Sequence, residues 1–242
     1  MLCVCLTDGH VAANVAVVRV DIRHSPSFAC ARAVLGAGEQ LKVESGAMMA
    51  HSDGMVLSAG ADGGLMRSLK RGILGGESLF VSTFTAPPSG GWVDIAPALP
   101  GDVFVANLDA GSPLNISKGS WLGSASSVTI DTKFAGFKNI FGGEGSFLAR
   151  ATGPGEIVLS CYGALDVMSL GPGERVIVDT GHLVAYESTV SMGIRKVSSG
   201  LMNSLKSGEG LVFEFTGPGD VLTQSRNPGL LGAVSNTVGS RQ

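Results

Sequence analysis

The chain has 242 residues, of which 36 are glycine, only 15% are charged and 6% are aromatic, with a formal net charge of −3. Glycine at about twice its usual share, with little charge, excludes a protein of long helices and points to short strands around an aliphatic core. The negative balance gives no general attraction to nucleic acid, and no uninterrupted apolar run of about 18 residues offers a membrane-spanning helix.

Residues 1–19 form an N-terminal lead outside any repeating pattern. Asp8 and His10 interrupt its apolar run and no basic segment precedes it, so no secretory signal is expected. Cys3 and Cys5 sit in this lead, while Cys30 and Cys161 lie singly in apolar surroundings. Such spacing suits buried reduced thiols better than a disulfide framework or a zinc site, and a cytoplasmic location follows as an expectation.

From there the chain repeats itself three times. One motif is LGAGEQLKVESGAMMA at 35–50, LDAGSPLNISKGSWLG at 108–123 and LGPGERVIVDTGHLVA at 170–185. These align without gaps on Gly38, Gly111 and Gly173, on Val43, Ile116 and Val178, and on Gly46, Gly119 and Gly181. A second motif always follows the first: a Gly-Glu turn, a short apolar stretch and a closing turn. It reads GGESLFVSTFTAPPSGGWV at 75–93, GGEGSFLARATGPGEIV at 142–158 and SGEGLVFEFTGPGDV at 207–221.

Three units of about 60 residues result, drawn at 23–90, 95–155 and 160–219 within a single β domain over 20–226. Each reads as strand, glycine turn, strand, glycine turn, and a hairpin-like pair around Gly-Pro-Gly. One such unit cannot bury its own apolar face, so the three should pack into a common core resembling a β-sandwich or a double-stranded β-helix. Residues 227–242, rich in Gly, Ser and Asn, read as a flexible tail.

The segment LKVESGAMMAHSDGM, the Gly-Glu turns, GPGD and the closing QSRNP resemble the altered-inheritance-of-mitochondria protein 24 family over about Val20 to Pro228. This resemblance implies an all-β fold related to the tryptophan RNA-binding attenuator protein, commonly oligomeric, with a link to inner-membrane organisation in mitochondrial members. It brings no enzyme activity and no catalytic residues. The fold relation to an RNA binder is an analogy of architecture.

Chemistry has few places to reside. His10, His24, His51 and His182 form no His-x-His pair, and neither a metal nor another cofactor is expected. His51 and Asp53 are first of all part of a Ser-Asp-Gly turn, and His182 follows the turn glycine Gly181. The glutamates after glycine (Glu39, Glu77, Glu144, Glu174, Glu209) recur with the repeat, as turn residues do. Nucleophile-elbow, dinucleotide and phosphate-loop motifs are absent.

One pattern stands above background. The stretches 63–76, 132–143 and 188–208 contain no acid, yet carry Arg67, Lys70, Arg71, Lys133, Lys138, Arg195, Lys196 and Lys206. Large apolar residues interleave them, among them Phe137, Phe141, Leu201 and Met202. Their bland reading is apolar groups tucked inward beneath solvated bases. Their functional reading is a basic, apolar face for an anionic membrane or an acidic protein, through Arg67, Lys70, Arg71, Phe137, Lys138, Phe141, Leu201, Met202 and Lys206. Nucleic acid is the third choice, because aromatics for stacking are few.

The expectation is therefore a non-catalytic, peripherally membrane-associated scaffold or interaction module. A mean hydropathy of +0.32 suggests a homo-oligomer, with a trimer favoured. The alternative is a small-molecule binder or enzyme, its pocket lying between repeats or subunits near His51, Asp53 or His182.

Overall fold

In the computed structural model, residues 18–60, 81–117, 119–131, 148–196 and 211–231 are described. The protein is all-β. A first strand, β1 (Arg19–Arg23), precedes three blocks of six. The first block is β2 (Cys30–Leu35), β3 (Gln40–Glu44), β4 (Met48–His51), β5 (Val56–Gly60), β6 (Val81–Thr85) and β7 (Gly91–Ile95). The second is β8 (Val103–Leu108), β9 (Leu114–Ser117), β10 (Trp121–Ala125), β11 (Thr129–Asp131), β12 (Leu148–Thr152) and β13 (Gly155–Ser160). The third is β14 (Leu165–Leu170), β15 (Arg175–Asp179), β16 (Leu183–Glu187), β17 (Ser191–Lys196), β18 (Leu211–Thr216) and β19 (Gly219–Gln224).

Every block pairs its strands in the same way, always antiparallel. The sixth strand lies between the first and the third, as β7 does between β2 and β4, β13 between β8 and β10, and β19 between β14 and β16. The fifth lies between the second and the fourth, as β6 does between β3 and β5, β12 between β9 and β11, and β18 between β15 and β17. The third–sixth pairing carries an irregularity at one aligned place in each block: Met48/Ala50, Trp121/Gly123 and Leu183/Ala185. An extra residue inserted into one strand of a ladder bends that strand, and the repeat keeps the bend in place.

Each block is thus divided between two sheets, and the sheets join the blocks. β10 pairs with β3 and β16 with β9, so the third strand of one block extends the second strand of the block before it. Two six-stranded sheets result, in the orders β5-β6-β3-β10-β13-β8 and β11-β12-β9-β16-β19-β14. The strands left over make a three-stranded sheet, β15-β18-β17, and a four-stranded one, β1-β2-β7-β4.

Strand burial follows the pleat. Leu41 and Val43 of β3 point inward while their neighbours are partly or fully exposed. The larger core cluster runs through the first two blocks, with Leu41, Val43, Phe84, Ile95, Ile116, Leu122, Ile157 and Leu159, and takes in Val184, Ala185 and Leu222 of the third. A second cluster gathers Leu170, Leu183, Tyr186, Phe213, Phe215 and Val221 of the third block around Leu148. Burial pushes the Tyr186 hydroxyl up to about 12, and its ring lies 5.1 Å from that of Phe215.

Gly-Pro-Gly does not close a hairpin. β12 and β13, which flank Gly153-Pro154-Gly155, have their partners in different sheets, as do β18 and β19 around Gly217-Pro218-Gly219. The turn is a corner that carries the chain from one sheet to the other. Local turn residues mark a reversal and leave the partner of each flanking strand open, which is why the motif alone reads as a hairpin. The strand after each corner completes its block, so the blocks run to Ile95, Ser160 and Gln224, past the limits drawn from motif spacing.

At the corner, backbone conformation demands glycine. Gly155 has φ 137° and Gly219 φ 135°. A Cβ on Gly155 would lie 2.7 Å from Ser127 Oγ, and one on Gly219 would lie 2.5 Å from Thr189 Oγ1 and 2.8 Å from Val190 Cγ2. Gly155→Ala or Gly219→Ala should therefore cost about 2 kcal/mol in denaturant unfolding. Gly111→Ala, where an added Cβ meets nothing within 4 Å, should change stability by less than about 0.5 kcal/mol.

Candidate interaction surface

Arg67, Lys70, Arg71, Phe137, Lys138, Phe141, Leu201, Met202 and Lys206, the residues read from sequence as a membrane or partner contact, all lie outside the described residues, as do Glu77, Glu144 and Glu209. The described ends of the connecting chain still locate them along the fold. Residues 61–80 join β5 to β6, 132–147 join β11 to β12, and 197–210 join β17 to β18. In all three blocks this is the connection from fourth to fifth strand. Of the bases in these stretches, Arg195 lies on β17, where its Nη1 is 2.8 Å from Glu214 Oε2 on β18. The carboxylate missing from the linear stretch is supplied by the neighbouring strand.

The glutamates of the Gly-Glu pattern that can be followed are turn residues. Gly36 N–H donates to Glu39 Oε2 at 2.6 Å, and Gly171 N–H donates to Glu174 Oε2 at 2.8 Å. His51 and Asp53 are exposed, the His51 ring resting 5.8 Å from that of Phe84 and its Nδ1 2.8 Å from the Ser52 carbonyl. His182 is fastened elsewhere. Its Nδ1 is 2.7 Å from the Gln224 carbonyl, and the Gln224 amide donates to the Gly181 carbonyl at 3.0 Å. Among the described residues, no group of three His, Cys, Asp or Glu side chains could hold a metal ion.

A charged cluster that motif reading missed lies in the first block. Asp94 on β7 is buried and receives Arg32 in a fork, Nε to Oδ1 at 2.7 Å and Nη2 to Oδ2 at 2.8 Å. Arg23 of β1 approaches the same carboxylate at 2.8 Å, and the Arg32 guanidinium stacks 3.8 Å above the Trp92 ring. The hydrogen bonds from Arg32 and Arg23 and their positive charge hold the Asp94 carboxyl below its ordinary value, against the opposing effect of burial. The corner glycines Gly91, Gly155 and Gly219 align Asp94 with Val158 and Leu222, which are buried aliphatic residues in the other blocks. Among the described residues, only the first block has an added strand to supply a second arginine, and the ion cluster ties β1 to β2 and β7.

Asp94→Asn should destabilise the fold by about 2 kcal/mol at neutral pH, the scale of charge-assisted hydrogen bonds lost. A lowered carboxyl stabilises the fold above the ordinary carboxylate range, and that contribution disappears as pH falls through the folded-state value. The difference between wild type and Asp94→Asn should therefore close below about pH 4 in thermal unfolding. Glu44 and Glu156 are pushed up by burial. Their contribution has the opposite sign, but it is common to both proteins and leaves the difference unchanged.

Cys30 and Cys161 are free and buried, and burial pushes the Cys161 thiol up. A thiol held protonated is a poor nucleophile. Peptide mapping after brief maleimide treatment should find both unlabelled in the folded protein and labelled in denaturant.

The remaining surface of note is a pair of sheet edges. β4 and β15 have a strand on one side only among the described residues, β7 and β18 respectively. Met48 and Met49 of β4 are 40% and 55% exposed, and Ile177 of β15 is 56% exposed. Residues aligned with Met49 in the other blocks, Leu122 and Val184, are fully buried.

The strand scheme and this surface define the class: an all-β protein of three like-paired blocks that build shared sheets. The sequence profile of the Mitochondrial biogenesis AIM24 family matches residues 20–226, and the chain belongs to that family. It is 26% identical over 218 residues to the uncharacterized protein M6_Spy0233 of Streptococcus pyogenes serotype M6, covering 87% of this chain and 86% of that one. The crystal structure of protein SPYM3_0169 from Streptococcus pyogenes has the same fold, with a TM-score of 0.75 at 24% identity, over 93% of this chain and 100% of that one. No helix among the described residues is long and apolar enough to cross a membrane.

Proposed function

We propose that this protein is a non-catalytic, oligomeric scaffold that docks on an anionic membrane surface through the acid-free stretches that fall on three of its connections. The observation that carries this reading is their placement: 63–76, 132–143 and most of 188–208 fall on the same fourth-to-fifth connection of the three blocks. The repeat thus puts a base, among apolar residues, on the corresponding connection of each block: Arg67, Lys70 and Arg71 in the first, Lys133 and Lys138 in the second, and Lys206 in the third. Each base near anionic lipid adds about 1 kcal/mol, screened over a Debye length. Three segments per chain, multiplied by the copies in an oligomer, turn weak contacts into lasting attachment. Phe137, Phe141, Leu201 and Met202 would add apolar insertion.

Charge reversal at Arg67, Lys70, Arg71, Lys138 and Lys206 should abolish flotation with anionic liposomes while leaving the circular dichroism spectrum and melting temperature unchanged. Wild-type binding should weaken as salt rises. Wild-type protein that never floats at low salt would end the membrane reading and leave an acidic protein as the partner these bases suit.

A further inference from the structure

The two incomplete sheets are halves of the complete ones. In each six-stranded sheet, the fourth, fifth and second strands of one block meet the third, sixth and first strands of the next. The sheet β15-β18-β17 is such a first half, from the third block. The sheet β1-β2-β7-β4 is such a second half, from the first block, with β1 added. What is missing is a junction between β15 and β4.

We propose that this junction forms between two copies of the chain, β15 of one pairing antiparallel with β4 of the next, head to tail. Its register follows from the junctions already present. Gly123 faces Val43 and Ser124 faces Lys42 at the first, and Ala185 faces Ile116 and Tyr186 faces Asn115 at the second. By the gap-free alignment of the blocks, Ala50 of one copy faces Val178 of its neighbour, and His51 faces Ile177.

Burial at aligned positions shows what the open edges lack. Trp121 and Leu183 are 2% and 1% exposed, whereas Met48, aligned with them, is 40% exposed. The difference at the next position, Met49 against Leu122 and Val184, is wider still. On the opposite edge, Asn115 is buried at the second junction while Ile177, aligned with it, is more than half exposed. Methionine and isoleucine gain nothing from water, and a neighbouring strand would remove both from it.

Strand spacing at the existing junctions sets a size limit that the open edge meets. A Cβ on Gly123 would lie 3.0 Å from the Lys42 carbonyl oxygen and 3.1 Å from Ile95 Cδ1. The second junction places Ala185 there, and the open edge carries Ala50. No proline occurs in β4 or β15, and the charges of β15 are confined to its ends, Arg175 and Asp179, with Val176, Ile177 and Val178 as consecutive apolar residues between them. Because the two edges differ, the contact is heterologous, and successive copies continue the same array of blocks until it closes.

This inference gives the oligomer of the proposed scaffold its interface and rests on that oligomeric reading. Size-exclusion chromatography with light scattering at micromolar concentration should find wild-type protein larger than one chain. Met49→Glu, which spoils β4, and Ile177→Glu, which spoils β15, should each be monomeric with an unchanged melting temperature. Mixed one to one, they should form a species of twice the single-chain mass, because one good β15 and one good β4 remain. Monomeric wild type, variants as large as wild type, or a mixture that stays monomeric overturns the proposal.

Should either charge unfold the chain, the double variant Ala50→Cys with Val178→Cys decides. Oxidation should give a ladder of covalent multimers on a non-reducing gel, absent from each single variant. No ladder, or a cross-link within one chain, overturns the inference. Flotation of Ile177→Glu separates the two readings: a monomer that still binds anionic liposomes keeps membrane docking apart from assembly.

Discussion

Backbone pairing between blocks is the interaction on which the rest of this structure depends. Within a block, the six strands divide into two groups of three, and neither is a complete sheet. The unpaired N–H and C=O groups of the second and third strands are satisfied only when another block lies alongside, as β10 does for β3 and β16 for β9. The burial of Leu122, Ile116 and Val184 accompanies that pairing. A linear series of three such blocks satisfies two junctions and leaves one half-junction at each end.

The ends are treated differently from the interior, and from each other. On the outer edge of β2, the chain adds β1 and fixes it with the Arg23–Asp94–Arg32 cluster. A buried carboxylate is tolerable there because two guanidiniums share it, with the flat face of Arg32 covered by Trp92. No comparable charge lies at the aligned Val158 and Leu222.

Repetition also explains why glycine is so abundant and aromatic residues so few. Each block needs its own glycine turns, because its chain passes between the two sheets four times, and aliphatic side chains fill the space between the resulting sheets. The side chains that interrupt this economy, such as His182 with Gln224 and Tyr186 with Phe215, are bonded or packed across strands within the third block. They fasten structure and are not gathered around a common cavity.

Much of this was legible in the residues themselves. Aligned leucines, glycines and β-branched residues established the all-β class, the repeat and the turn role of Glu39 and Glu174, because turns and the pleat depend on local chemistry. The corner at Gly-Pro-Gly was visible as a turn, but its use as a passage between sheets was not, since β12 and β13 choose partners far away in sequence. Asp94 carries no motif. Its arginines come from two other strands, and only folding brings them within 3 Å. The openness of β4 and β15 was hidden for the same reason: their residues resemble those of the buried strands aligned with them. The difference lies entirely in whether another block stands beside them, which the tertiary arrangement alone decides.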